Sequence, residues 1–290
     1  MAPRTDDGAP VHRTVDAPVG GPPRARAVIV HGYAEHGGRY RALVAAWNAA
    51  GIETHRIDLP GHGRSPGLRV LVRDAGRCVR DLVGILEELQ GDGPTAAFGH
   101  SFGGALVLRA AQERPDLLDA VAVTAPFLES ALPDPAWQVR LAGFAARFAP
   151  TVRTKRLDAR GVSRDPDQVR AYDDDPLVDR GGVRLATARE LMAIGPRVLA
   201  DAAAPLPPTL IVHGDADAIA HLRGSRRFAE VAAARPDADV TLRIVSGGAH
   251  ALLHDEGRDR TVRRLTDWVV ARLELAPEPG LSVRSGSGAP

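Results

Sequence analysis

The sequence has one cysteine, Cys78, a single lysine and few aromatic side chains, which make up 4% of its 290 residues. One cysteine excludes an intrachain disulfide. No run of residues approaches the roughly eighteen apolar positions that a membrane-spanning helix requires. The first ten residues lack the apolar core of a secretory signal peptide, so we expect a cytoplasmic protein.

Charge of one sign is not in excess either. The chain has 37 Lys and Arg residues against 36 Asp and Glu residues, a net charge of +1. Its basic residues are scattered and not interleaved with aromatic ones, which argues against a nucleic-acid partner. Apolar residues make up 44% of the chain. This composition and length predict one large core, with or without an inserted segment.

Short apolar runs alternate with longer amphipathic patterns along most of the chain. Because strands that alternate with helices form crossover units, this order predicts an α/β fold with a mostly parallel sheet covered on both faces. The predicted strands are Ala27–Val30, Ile52–Leu59, Thr95–Phe98, Ala120–Thr124, Thr209–His213 and Val240–Val245. The predicted helices are Arg39–Ala50, Ala75–Gln90, Phe102–Glu113, Leu222–Ala234 and Arg260–Leu273.

The alternation lapses over residues 127–205, which are richer in helix signals, proline and charge. An insertion of this size predicts a cap over the carboxyl ends of the strands, where open α/β sheets bind ligands. Residues 25–126 and 206–276 then form the core. In residues 1–24 we expect an edge hairpin with Val11–Val15 as a strand, and residues 277–290 have the composition of a disordered tail.

The strongest local signal is the segment Gly99–Gly104, GHSFGG, which follows a predicted strand and precedes a predicted helix. In that context G-x-S-x-G indicates the nucleophile elbow of an α/β-hydrolase fold, with Ser101 as nucleophile. The flanking glycines allow the sharp turn to pack against its neighbours. We place the oxyanion hole at the backbone N–H groups of Phe102 and of Tyr33, which follows the first buried strand.

A serine hydroxyl requires a base, and in this fold the chain order is serine, acid, histidine. Only His221, His250 and His254 come late enough. We predict His250 as the base because it follows the strand Val240–Val245 through a glycine turn, as a loop at the carboxyl edge of the sheet should.

The acid should follow the strand Thr209–His213, and there Asp215 and Asp217 both qualify. The acid must accept the proton on the far nitrogen of the imidazole. The other carboxylate could instead bond the backbone of its own turn. The residues alone leave the choice open.

Several blocks resemble the monoacylglycerol lipase and lysophospholipase group of α/β-hydrolases, also called serine aminopeptidase S33-like hydrolases. They cover most of residues 25–270. One departure is Ala251, which stands where the family has an acidic residue after the histidine. The blocks are His31–Tyr40 (HGYAEHGGRY), Asp58–Ser65 (DLPGHGRS), Gly99–Gly104, Ser163–Pro166 (SRDP), Asp175–Val178 (DPLV), His213–Asp217 (HGDAD) and Gly248–Glu256.

The resemblance implies that Asp217 is the acid and that monoacylglycerols or related single-chain lipids are hydrolysed without a metal or organic cofactor. It also implies a glycerol head at the triad and an acyl chain under the cap. Glu35, His36, Arg39 and Tyr40 match the family block, and we expect them to brace the oxyanion loop, with direct contact to the head group as the alternative.

The cap carries an apolar stripe of Trp137, Leu141, Phe144 and Phe148 at helical spacing. Such a stripe can simply pack on the core. Our sharper hypothesis is a lid whose apolar face lines the acyl pocket and meets a membrane surface transiently. The alternatives for the whole protein are a lysophospholipase, a short-chain carboxylesterase or peptidase, and a non-catalytic receptor for a small ligand.

Overall fold

The computed structural model describes residues 10–131, 143–154 and 161–275. Seven strands form one sheet within these ranges, and each of the six predicted core strands is present. Residues 1–9 and the predicted disordered tail, 277–290, lie outside the described part. The strands are β1 (Arg13–Asp16), β2 (Ala25–Val30), β3 (Ile52–Ile57), β4 (Thr95–His100), β5 (Ala120–Thr124), β6 (Thr209–Gly214) and β7 (Val240–Val245).

The strand order across the sheet is β1-β3-β2-β4-β5-β6-β7, and all neighbours are parallel except β1 and β3. Every residue of β4, β5 and β6 is buried. Strands covered on both faces are continuously apolar rather than alternating, which explains why the sequence marks them clearly.

The N-terminal segment contributes an edge strand to the sheet. β1 pairs antiparallel with β3, with Val15 opposite His55. Residues 1–9 lie outside the described part, so the hairpin expected in residues 1–24 stays a prediction.

Helices cover both faces of the sheet. Trp47 and Leu265 are among the side chains packed on one face, where α1 and α7 lie. Leu86 and Phe228 are among those packed on the other face, with α2, α3, α5 and α6. The helices are α1 (Arg41–Ala49), α2 (Ala75–Glu88), α3 (Phe102–Glu113), α4 (Pro166–Asp174), α5 (Leu185–Ala200), α6 (Leu222–Ala232) and α7 (Arg258–Arg272). Within the described ranges, no helix combines the length and apolarity needed to cross a bilayer.

The segment between β5 and β6 was predicted to be a cap throughout, but its last helix belongs to the core. Its last helix, α5, buries Leu191, Ile194 and Val198 in the same core cluster as α2 and α3. By contrast α4 has no buried residue. We predicted a cap through residue 205, but α5 is part of the layer that covers the sheet.

The start of α3 packs directly on the end of β2. A Cβ atom at Gly103 would overlap the backbone carbonyl oxygens of Val30 and His31. Backbone atoms of a buried strand have no room to shift, so α3 can approach β2 here only through glycine.

We predict that Gly103→Ala lowers the free energy of unfolding by roughly 1–3 kcal/mol, since it forces overpacking into a rigid site. Urea unfolding followed by circular dichroism measures this change. Gly21→Ala is the control, because a Cβ there meets no atom within 4 Å. Equal unfolding midpoints for the two variants would contradict the packing argument.

Candidate active site

Ser101 lies in a strained turn between β4 and α3. Its backbone has φ 52° and ψ −116°, a left-handed conformation that non-glycine residues rarely adopt. The turn is held from the side of β5: the Ser101 N–H donates to the Thr124 carbonyl at 3.0 Å, and the Phe127 N–H donates to the Ser101 carbonyl at 2.9 Å. The geometry therefore has the form of the predicted nucleophile elbow.

The loop after β2 lies against this elbow. A Cβ at Gly32 would be 3.3 Å from the Ser101 Cβ, and Tyr33 is the next residue. The Phe102 N–H belongs to the first residue of α3, where no residue of the same helix can accept it. The two N–H groups that we predict for the oxyanion hole thus belong to the two segments that meet at Ser101.

A buried carboxylate holds the oxyanion loop. Glu35 Oε1 accepts the Gly32 N–H at 2.8 Å and the Tyr40 hydroxyl at 2.6 Å, and Oε2 accepts the Arg39 Nε–H at 2.9 Å. Burial favours the neutral acid, but the charge of Arg39 outweighs it and holds the pKa of Glu35 well below its usual range. These contacts match the predicted brace.

The cap is connected to the same loop. His36 Nδ1 accepts the Gly38 N–H at 3.1 Å, so its Nε2 carries the proton and donates to Asp175 Oδ2 at 2.9 Å. The Arg39 guanidinium lies 4.9 Å from the centre of the Tyr172 ring on α4. The two family-like blocks around His36 and Asp175 are therefore in direct contact.

Asp217 and His250 are brought together from the loops after β6 and β7. Asp217 Oδ2 lies 2.7 Å from His250 Nδ1, and Oδ1 accepts the N–H groups of Ile219 at 2.8 Å and Ala220 at 2.9 Å. Because a carboxylate only accepts, the imidazole proton is assigned to Nδ1. Nε2 of His250 is then free to act as a base.

The Asp217 carboxylate is completely buried and stays ionised. Burial opposes its charge, but the interactions with His250 and His213 prevail and hold the pKa of Asp217 far below that of a free aspartate. His213 Nε2 lies 3.2 Å from Asp217 Oδ2. We had assigned His213 no role, although its position four residues before Asp217 in the HGDAD block is the signal that could have identified it.

Asp215, the alternative acid, has a different partner. It is exposed, and its Oδ1 accepts the N–H of Gly247 at 2.6 Å. It therefore connects the loop after β6 to the turn after β7. Of the two carboxylates left open by the sequence, only Asp217 contacts His250.

The imidazole of His250 packs beside the elbow. Its ring centre is 4.8 Å from that of His100, the residue that immediately precedes Ser101. His100 Nδ1 is 3.0 Å from the Thr124 hydroxyl, and burial, followed by repulsion from His250 when His250 is protonated, lowers the pKa of His100 to about 3. Because His100 is neutral, it does not repel the imidazolium that forms at His250. Its ring packs on the His250 ring and helps to hold it in place.

The other two candidate histidines serve elsewhere. His221 caps α6 by accepting the Arg223 N–H at 3.1 Å. His254 is buried against the edge of Tyr40, with ring centres 5.8 Å apart, and burial followed by the charge of Arg39 lowers the pKa of His254 to about 4. Among the residues that the structure describes, no group of three or more His, Cys, Asp or Glu side chains is arranged to hold a metal ion.

The predicted cap pocket is only partly described, since Trp137 and Leu141 lie outside the described residues. Phe144 and Phe148 pack edge to face with ring centres 5.4 Å apart, and they are 60% and 77% exposed. The expectation that these two rings line an enclosed pocket does not hold in this structure, because they pack on each other and face solvent.

Comparison with known proteins shows the family to which the chain belongs. The family model of serine aminopeptidase S33 matches residues 21–257. The monoacylglycerol lipase of Mycolicibacterium smegmatis is 35% identical over 87% of this chain and 90% of its own length. The monoglyceride lipase of Homo sapiens is 29% identical over 88% of this chain and 86% of its own.

Solved structures give the same result. The crystal structure of the monoacylglycerol lipase of Paleococcus ferrophilus superposes with a TM-score of 0.82 at 31% identity, covering 90% of this chain and 99% of that one. The chain belongs to the serine aminopeptidase S33 family of α/β-hydrolases.

Proposed function

We propose that the protein hydrolyses monoacylglycerols to glycerol and a fatty acid through an acyl-enzyme on Ser101. The observation that carries the proposal is the hydrogen bond between Asp217 and His250, whose ring packs on His100 beside the strained Ser101. The relatives whose printed names are monoacylglycerol or monoglyceride lipase support the choice of substrate, since they align over most of this chain.

In the acylation step the Ser101 hydroxyl oxygen attacks the ester carbonyl carbon, and its proton passes to Nε2 of His250. Asp217 keeps the Nδ1 proton in place and stabilises the imidazolium that forms. The negative oxygen of the tetrahedral intermediate accepts hydrogen bonds from the N–H groups of Tyr33 and Phe102. Collapse breaks the ester bond, and the imidazolium returns the proton to the departing glycerol oxygen.

Deacylation repeats these steps with water. The neutral imidazole takes a proton from water, and the resulting hydroxide attacks the acyl carbon. The serine oxygen leaves and recovers its proton from His250, which releases the fatty acid. Every proton is carried by His250, so one base serves both half-reactions.

The buried Glu35 brace supports the oxyanion role assigned to Tyr33. By fixing the Gly32 N–H, Glu35 orients the loop before substrate arrives. A donor that is already oriented stabilises developing charge without reorganisation at the moment of reaction. This pre-orientation is the physical reason that the proposed hydrolase retains so polar a cluster inside its core.

We predict that the purified protein hydrolyses long-chain acyl esters faster than the acetyl ester of the same alcohol, because a long acyl chain offers far more apolar surface for burial than an acetyl group. Initial rates over a series from acetyl to oleoyl esters measure this preference. Ser101→Ala should lower turnover on the order of 10⁴-fold or more.

Each rival function has a distinct outcome in this assay. Higher rates on lysophospholipids would favour the lysophospholipase, and a preference for acetate would favour a short-chain esterase. A wild-type protein that neither hydrolyses any ester nor reacts with a fluorophosphonate probe would contradict the proposal and favour a ligand receptor.

We predict that Asp217→Asn lowers turnover by about 10⁴-fold, because the amide no longer holds the imidazole in the productive tautomer. Asp215→Asn is the matched control, with the same chemical change two residues away at a carboxylate that contacts Gly247. Its turnover should stay within about tenfold of wild type. A larger loss at Asp215 than at Asp217 would show that the acid is misassigned.

We also propose a transient contact of the cap with a lipid surface. Phe144, Phe148 and Val152 are the exposed apolar side chains of residues 143–154, and Arg147, which precedes Phe148 in the sequence, is also exposed. Apolar side chains next to a cation are the composition of surfaces that insert shallowly among lipid head groups.

We predict that the double variant Phe144→Asp, Phe148→Asp binds anionic vesicles at least about tenfold more weakly, since burial of each ring contributes roughly 1.5–3 kcal/mol. Vesicle co-sedimentation measures the change. Val19→Asp is the control, because Val19 is also exposed but lies outside the cap, where its backbone N–H donates to Asn48 in α1. Unchanged binding of the double variant would contradict the contact.

A further inference from the structure

A second buried carboxylate, Asp255, lies behind the catalytic loop. Its side chain is completely buried. Oδ2 accepts the N–H of Ala249 at 2.9 Å, and Oδ1 accepts the N–H of Arg164 at 2.8 Å. The Arg164 guanidinium also contacts this carboxylate, with Nε 3.0 Å and Nη2 2.9 Å from Oδ2.

The segment that carries Arg164 contacts the same loop at two further points. The Ala251 N–H donates to the Val162 carbonyl at 2.8 Å. The Ser163 hydroxyl donates to the His254 carbonyl at 2.6 Å. Residues Val162–Asp165 therefore lie along the whole length of the loop from Ala249 to Asp255.

These contacts immediately flank the base. Ala249 precedes His250 and Ala251 follows it, and the N–H of each is held by this arrangement. The imidazole itself has only two rotatable bonds beyond this fixed backbone. The position of the His250 ring beside His100 is therefore set by Asp255 and Val162 on the backbone and by Asp217 on the ring.

Net stability does not account for a carboxylate at this position. A fully buried charge is costly, and a buried ion pair often contributes less to folding than apolar side chains of the same size. Burial disfavours the charge of Asp255, yet Arg164 and the surrounding N–H groups hold the pKa of Asp255 below its usual value. The charged carboxylate of Asp255 therefore lies where it orders the backbone next to His250.

We infer that Asp255 and Arg164 are positioning residues for His250, and that through them the first residues of the cap segment 161–174 help to hold the base in register with the nucleophile. The inference rests on the proposed hydrolase function. It assigns these two side chains no contact with substrate and predicts that they act on turnover through His250 alone.

The test measures kcat and KM of Asp255→Asn, Arg164→Gln and Arg164→Lys per active site, with sites counted by fluorophosphonate titration. We expect Asp255→Asn and Arg164→Gln to lower kcat roughly 10- to 100-fold with KM nearly unchanged, since a displacement of about 1 Å has effects of this size. Arg164→Lys should recover part of the loss. If Asp255→Asn fails to fold, the Arg164 pair carries the test, because Arg164 is a partly exposed side chain.

The control is Asp16→Asn. Asp16 forms a partly buried ion pair with Arg56, with contacts of 2.7 and 2.9 Å, on the edge strand β1. Its loss should lower the unfolding temperature and leave kcat per site unchanged. A double-mutant cycle with Asp217→Asn adds a readout that a purely structural role would not move: in that background Asp255→Asn should cost less than about threefold.

Wild-type kcat per site in both Asp255→Asn and Arg164→Gln would overturn the inference and leave these residues with a structural role. Equal losses with and without Asp217→Asn would also overturn it, because the effect would not pass through His250. If the wild type hydrolyses no ester and resists the probe, the proposed function fails and the inference fails with it.

Discussion

The hydrogen bond between Asp217 and His250 is the interaction on which the rest of the site depends. It joins two loops that follow neighbouring parallel strands, and the register that pairs Gly214 with Val245 brings these loops to the same edge of the sheet. Asp217 is oriented before it meets the imidazole, since its other oxygen accepts two backbone N–H groups. Because the Asp217 side chain is already ordered by these bonds, it loses little conformational entropy when it fixes the tautomer of His250.

The nucleophile depends on a second constraint, the close approach of backbone segments around Ser101. Its left-handed conformation is unfavourable by itself, and the surrounding strands determine it through the contacts with Thr124 and Phe127. The oxyanion loop is held by Glu35 in the same manner. Each reacting group is therefore carried by a loop, but its direction is set by hydrogen bonds to a neighbouring element. Completely buried strands beneath these loops supply the rigidity that the arrangement requires.

Much of this arrangement could be predicted from the residues. Continuous apolar runs identified the central strands because both faces of the sheet are covered, and the glycines around Ser101 identified the elbow because no larger side chain fits there. The choice between Asp215 and Asp217 could not be made from local chemistry, since both are polar residues of one turn. The family-like block indicated Asp217, and the contacts of the two carboxylates with His250 and Gly247 supply the physical reason.

The parts that could not be predicted depend on packing partners that a local pattern does not specify. The strand near Val15 was expected, but its pairing with β3 is decided by the sheet as a whole. An amphipathic pattern such as that of α5 shows which face of the helix is buried, but it does not show which element covers that face. The helix was therefore predicted to be part of the cap. Periodicity likewise could not tell whether Phe144 and Phe148 face a pocket or solvent. Asp255 carries no sign in the sequence that its side chain is buried or that it holds the backbone of Ala249.

The most direct measurement of the central claim is the covalent state of Ser101 during turnover. The protein would be mixed with an excess of a p-nitrophenyl ester, quenched in acid within the first turnovers, and digested for peptide mass spectrometry. The account predicts one acyl group on the peptide that contains Ser101, formed together with a burst of p-nitrophenol. Steady product release with no acyl group on that peptide, or an acyl group on a different residue, would contradict it.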